Sequence, residues 1–163
     1  MFKKRLETVF IAITLISIAI LANNWYSSHL FNTTPIPDEY KQQIADKEQE
    51  VLQLMQKNYG ITLKVPLIIT DKIDGKQYGI TSYNNGDIKI YLNKKVMKES
   101  LEYIVDDVIA HEYAHALMFK QGVYERNSDG HTPQWQKACQ KLGGSRCDRY
   151  VNHNDVIMGK MPF

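Results

Sequence analysis

Residues 108–119 read VIAHEYAHALMF, and within them His111, Glu112 and His115 form the pattern H-E-x-x-H. On an α-helix, side chains four apart lie one above the other on the same face. Two imidazoles so placed can donate to one metal ion, and the carboxylate between them can reach a water on that ion. The flanking residues agree with a helix. Leu101, Ile104, Val105, Val108 and Ile109 make an apolar stripe leading into the motif, while Ala110, Ala114 and Ala116 keep the helix slim beside it. The spacing makes His111 and His115 candidate zinc ligands and Glu112 the candidate catalytic base. The alternative is two incidental histidines on a core helix.

Downstream, a polar loop over 121–130 leads to Thr132, which can cap a helix that starts at Pro133 and stops before Gly143-Gly144. A hydrolytic zinc site has three protein ligands and one position open to water. Gln121 stands where a metzincin would place its third histidine, and no Glu follows Glu125. The remaining donors are the weakly placed Glu125, the histidines His131 and His153, and Asp129, Asp148 and Asp155. His131 is best placed, directly before a capped helix and after a loop long enough to return beside the motif. His153 has no comparable setting and remains an alternative.

Upstream, Pro37 and Asp38 open a helix that runs to about Tyr59, with Ile44, Val51, Leu52 and Met55 along one face. Residues 61–70 alternate in the manner of a strand, and Pro66 assigns it to an edge or a bulge. Strands over 77–83 and 87–92 flank Asn84-Asn85-Gly86, a hairpin turn because Asn and Gly tolerate positive φ. A short helix over 94–98 then precedes the main one, 101–120.

The chain begins differently. Lys3-Lys4-Arg5 precedes the apolar run VFIAITLISIAILA, residues 9–22. As a helix this run spans about 21 Å, short of the ~30 Å hydrocarbon core and suited to a signal peptide. No A-x-A cleavage site follows, and Trp25 and Tyr26 suit the far interface of an uncleaved signal anchor. The preferred expectation is a single-pass membrane protein with its body outside the cytoplasm, the alternative being export after cleavage. Residues 1–26 are then the anchor or signal peptide, 27–37 (SSHLFNTTPIP) a linker, and 38–163 the functional domain. Of 20 basic and 18 acidic residues, three and one fall in the first seven positions, so the body is neutral, with no basic stripe for nucleic acid. Cys139 and Cys147 form no C-x-x-C pair, which excludes a zinc ribbon. They are either a disulfide formed after export or two unrelated thiols.

HEYAHAL followed by Gly130-His131-Thr132-Pro133-Gln134-Trp135 resembles the SprT-like family of zinc metallopeptidases, which pairs H-E-x-x-H with a downstream Gly-His and an aromatic four residues after that His. The likeness extends over roughly residues 38–143, including the lead-in Tyr91-Leu92-Asn93 and the short helix. It implies a small α+β zincin-like domain, a short three-stranded sheet packed on the motif helix, with His131 as third ligand. It further implies Zn²⁺ as cofactor and a protein or peptide as substrate. By analogy with zincins, an edge strand such as 87–92 would align an extended peptide. Tyr91, Tyr113 and Tyr124 are the candidate stabilisers of a developing oxyanion. This chain departs from the family at Thr132, where a second Gly is frequent, in lacking the Cys-rich ribbon of many relatives, and in starting with a membrane-targeting segment. The last two argue against a role in cutting DNA-linked proteins. A competing expectation is a non-catalytic zinc-binding module of the cell envelope that binds a protein partner; nothing in the sequence sets an oligomeric state.

Overall fold

The first proline of the chain is Pro35 and the first glycine Gly60, and the helices obey that punctuation. A computed structural model describes residues 2–73, 77–123 and 130–148. Helix α1 spans Phe2–Thr33, 32 residues, or about 48 Å. It continues well past the apolar run because nothing between Ala22 and Thr33 breaks a helix. It stops with Thr34, the residue that Pro35 excludes from helical geometry. Residues 27–33, expected as linker, are therefore helical. The helix is long and apolar enough to cross a membrane.

Residues 1–36 and 37–163 form two separate units. In the second, α2 (Asp38–Tyr59) begins after Pro37 with Asp38 and Glu39 in its first turn, and ends at Gly60 with φ 69°. Its Ile44, Val51 and Met55 are buried, as the helical stripe requires. Three strands follow, β1 (Leu67–Thr70), β2 (Gly79–Asn84) and β3 (Asp87–Asn93), in the spatial order β1-β3-β2. β1 runs parallel to β3 and β2 antiparallel to it. The β2–β3 turn places Asn85 at φ 49° and Gly86 at φ 93°, the conformation expected of Asn-Gly. β1 is an edge strand, as Pro66 indicated, and starts just after that proline, whose carbonyl accepts the Ile90 N–H at 2.9 Å; residues 61–65 alternate in polarity but form no strand. β3 occupies the middle of the sheet. The expectation that it offers a free edge fails because β1 and β2 take both of its sides.

α3 (Lys94–Tyr103) is capped by the Asn93 side chain, which accepts from the Lys95 N–H. Ser100, at φ −134°, interrupts it, which divides a short helix from a main one close to the expected place. A five-residue π-helical turn, Ile104–Val108, then leads into α4 (Ile109–Gln121), the motif helix, and α5 (Pro133–Lys141) follows. The fold is thus α+β with a small three-stranded sheet. Ile90, Leu92, Met97, Ile104, Ile109, Leu117, Trp135 and Leu142 are fully buried between sheet and helices. Cys139 and Cys147 are joined in a disulfide, which resolves the open alternative.

Candidate metal centre

Three elements bring three imidazoles together. His111 and His115 stand one turn apart on α4, and His131 enters from the residue before the α5 cap. Thr132 fixes that cap: its hydroxyl accepts the Trp135 N–H at 3.2 Å, which orients the start of α5. The Nε2 of His111 lies 3.3 Å from that of His115 and 3.1 Å from that of His131. A tetrahedral ion about 2.0–2.1 Å from each nitrogen would hold them about 3.3–3.4 Å apart, so the donor set fits a metal ion. All three ligand atoms lie within 4.8 Å of one another. Burial, and secondarily the charge of His131, push the His111 imidazole down to about 4, against a smaller opposing pull from Asp107. It is thereby kept in the neutral form that ligates metal.

Gly130 makes the approach of His131 feasible. It sits at φ 81°, and a methyl group there would meet the His115 ring at 3.2 Å. Beneath the cluster, Trp135 stacks on His115 (ring centroids 5.0 Å apart, 24° between planes) and meets His111 and His131 edge-on at 4.6 and 4.4 Å. The indole is buried and fixes the three rings against one apolar surface.

Glu112, next to His111 on α4, is buried against β2. The Thr81 hydroxyl lies 2.6 Å from its Oε2 and 2.9 Å from its backbone carbonyl. A methyl group on Gly79 would come within 2.9 Å of Glu112 Oε1 and of Val108, so the bare backbone of β2 is what lets the carboxylate lie there. Burial pushes Glu112 up to about 7, with Thr81 pulling the other way. A carboxyl near neutrality can both take and return a proton at physiological pH.

A model of the SprT-like family matches residues 44–155, more than two thirds of the chain and inclusive of the three histidines. The chain belongs to the SprT-like family. No curated protein and no solved structure matches it. In this SprT-like chain, the family pattern of H-E-x-x-H plus Gly-His corresponds to one spatial cluster, with the glycine explained by the His115 ring it must clear.

The other sequence candidates separate. Asp148 is exposed and is no part of the cluster. Glu125, Asp129, His153, Asp155 and Tyr124 lie outside the described residues. Tyr113 is buried and donates to Glu48 of α2 at 2.6 Å, so it braces the motif helix from behind. Tyr91 is turned away as well: Thr81 and its partner Ile90 share the face toward α4, and Tyr91, the next residue along β3, has the other. Neither joins the imidazole cluster. Sequence reasoning missed Gly79, Thr81 and Asp107. The only available signal was the small, polar character of Gly79 and Thr81 at alternate positions of a strand. Asp107, buried in the π turn, accepts at one oxygen from the Ser145 N–H (2.9 Å), the Ser145 hydroxyl (2.7 Å) and the Arg146 N–H (2.8 Å).

Proposed function

We propose that this chain is a zinc-dependent metallopeptidase, tethered to a membrane by α1 with its second unit on the extracytoplasmic side. The observation that carries the enzymatic part is the convergence of three imidazole Nε2 atoms beside a buried, hydroxyl-bonded glutamate. An all-imidazole set suits zinc, and a carboxylate of this kind has no use in a purely structural site. His111, His115 and His131 would hold the ion, which supplies Lewis acidity that polarises a carbonyl and acidifies water. Glu112 takes a proton from the attacking water and passes it to the leaving amine. Thr81 keeps that carboxylate in one orientation. β2 is the strand beside the site with an outer side that no described strand pairs, and it takes over the substrate-aligning role expected of β3: an extended peptide would add to it through main-chain hydrogen bonds.

Location is supported by three features. Lys3-Lys4-Arg5 precedes the apolar stretch, the arrangement that keeps the N-terminus on the cytoplasmic side. Helix α1 is long enough to span without cleavage. The disulfide in the second unit suits an oxidising compartment.

The deciding experiment compares the full chain with Glu112→Gln, both in detergent, for zinc content and for digestion of casein and a peptide library. The expected result is one zinc per chain in both and hydrolysis only in the first. Hydrolysis retained by the variant refutes the role of Glu112. Zinc bound without hydrolysis by either protein turns the assignment to a non-catalytic envelope module that binds a partner.

A further inference from the structure

The metal cluster and Glu112 occupy only part of the seam between β2 and α4. Farther along it, Tyr83 and Phe119 stack with ring centroids 5.0 Å apart and planes 7° from parallel. Both belong to faces that already build the site. Tyr83 is two residues beyond Thr81, hence on the same side of β2, and Phe119 is one helical turn beyond His115. Yet the pair is not sealed into the core. Tyr83 is 39 % exposed, whereas Ile88, its neighbour across the ladder on the same face, is 7 % exposed. Phe119 is half-buried. Aromatic ring surface therefore stays open to solvent at one end of the seam.

We infer that Tyr83 and Phe119 form a specificity subsite for a large aliphatic or aromatic side chain of the peptide substrate. This inference rests on the peptidase assignment above. A peptide laid along the outer side of β2 puts alternate side chains on the α4 face, about 7 Å apart. Thr81 and Tyr83 mark two such places in succession. The substrate residue beside Thr81 lies at Glu112, and the next on that face, two residues along, meets the aromatic pair. The rings offer apolar area and π surface and no charge, so a bulky apolar side chain gains there and a charged one does not.

The test uses the full chain carrying Glu112→Gln, loaded with zinc, and fluorescein-labelled alanine-based decapeptides in which a single Phe or Ser is moved through each position. Fluorescence anisotropy should show one register in which Phe binds about tenfold more tightly than Ser. Adding Tyr83→Ser, a change at an exposed side chain, or Tyr83→Ser with Phe119→Ala should reduce that ratio to below about twofold, with unchanged thermal melting confirming the fold. Cleavage-site profiling of the unmodified chain should show the same preference at a fixed distance from the scissile bond. No register preferring Phe, no peptide binding, or a preference that survives both variants overturns the subsite. Cleavage without the preference overturns the subsite and leaves the peptidase assignment standing. Binding that depends on the aromatic pair, with no cleavage by the zinc-loaded chain, does the reverse.

Discussion

Replacing Thr81 by Val keeps a similar outline and removes the hydroxyl that Glu112 uses. The activity of Thr81→Val should fall about 10- to 100-fold while zinc remains bound, and Thr81→Ser should recover most of it; kcat against zinc content makes the comparison. Glu112 itself has a stability consequence in the metal-free protein. Its folded value of about 7 lies above the ordinary 4.5, so between those limits the native state retains a proton that the unfolded chain has lost. Stability therefore falls as pH rises across that window. Metal-free Glu112→Gln should exceed the unmodified chain by about 2–3 kcal/mol at pH 8 and match it near pH 4, as read by denaturant unfolding. His111 acts in the opposite direction: its lowered value of about 4 gives stability that is present above 6.5 and lost as pH falls toward 4. At this scale the motif was legible because His111, Glu112 and His115 lie within five consecutive positions. Thr81 was not, because its partner is 31 residues away and a threonine in a strand carries no local mark of a functional contact.

The elements show the same division. Helix ends were readable wherever Pro, Gly or a capping residue sets a boundary, as at Pro37, Gly60 and Thr132. The π turn over Ile104–Val108 has no such punctuation, since a widened turn requires no special residue and is held by what packs around it. Here that surrounding is the C-terminal loop. Asp107 in the turn anchors Ser145 and Arg146, and the Cys139–Cys147 disulfide ties the same loop to α5, whose first turn follows His131. The turn before the motif helix and the helix behind the third histidine are thus fastened to one another. Removing the bridge by Cys139→Ser with Cys147→Ser should cost about 2–3 kcal/mol by the chain-entropy relation for so short a loop, measured by urea unfolding. Asp107→Ala should cost a comparable amount, about 2–3 kcal/mol, because it strips the acceptor from three donors at once.

At the scale of the whole molecule, the division at residue 36 coincides with the two prolines, Pro35 and Pro37, that stood out in the sequence. The length of α1 did not stand out, because hydrophobicity marks only the part suited to lipid and a helix ends where its backbone is broken. The proposed orientation and the disulfide make one joint prediction. Replacing Lys3, Lys4 and Arg5 by Glu should impair export and leave Cys139 and Cys147 reduced, a change visible as a shift of the full chain on a gel after alkylation with a maleimide-polymer. A disulfide formed in both chains would refute the proposed topology. The two layers of the second unit are also joined by a part with an unusual economy. Thr81 owns a single hydrogen and faces two oxygens of Glu112, one on the side chain and one on the helix backbone. While the glutamate is negative it claims that hydrogen. The proton in transit from water to amine belongs on the other carboxyl oxygen, and Oε2 accepts from Thr81 whether the group is charged or neutral. In the proposed cycle the base therefore changes charge at each turnover while its grip on the sheet holds.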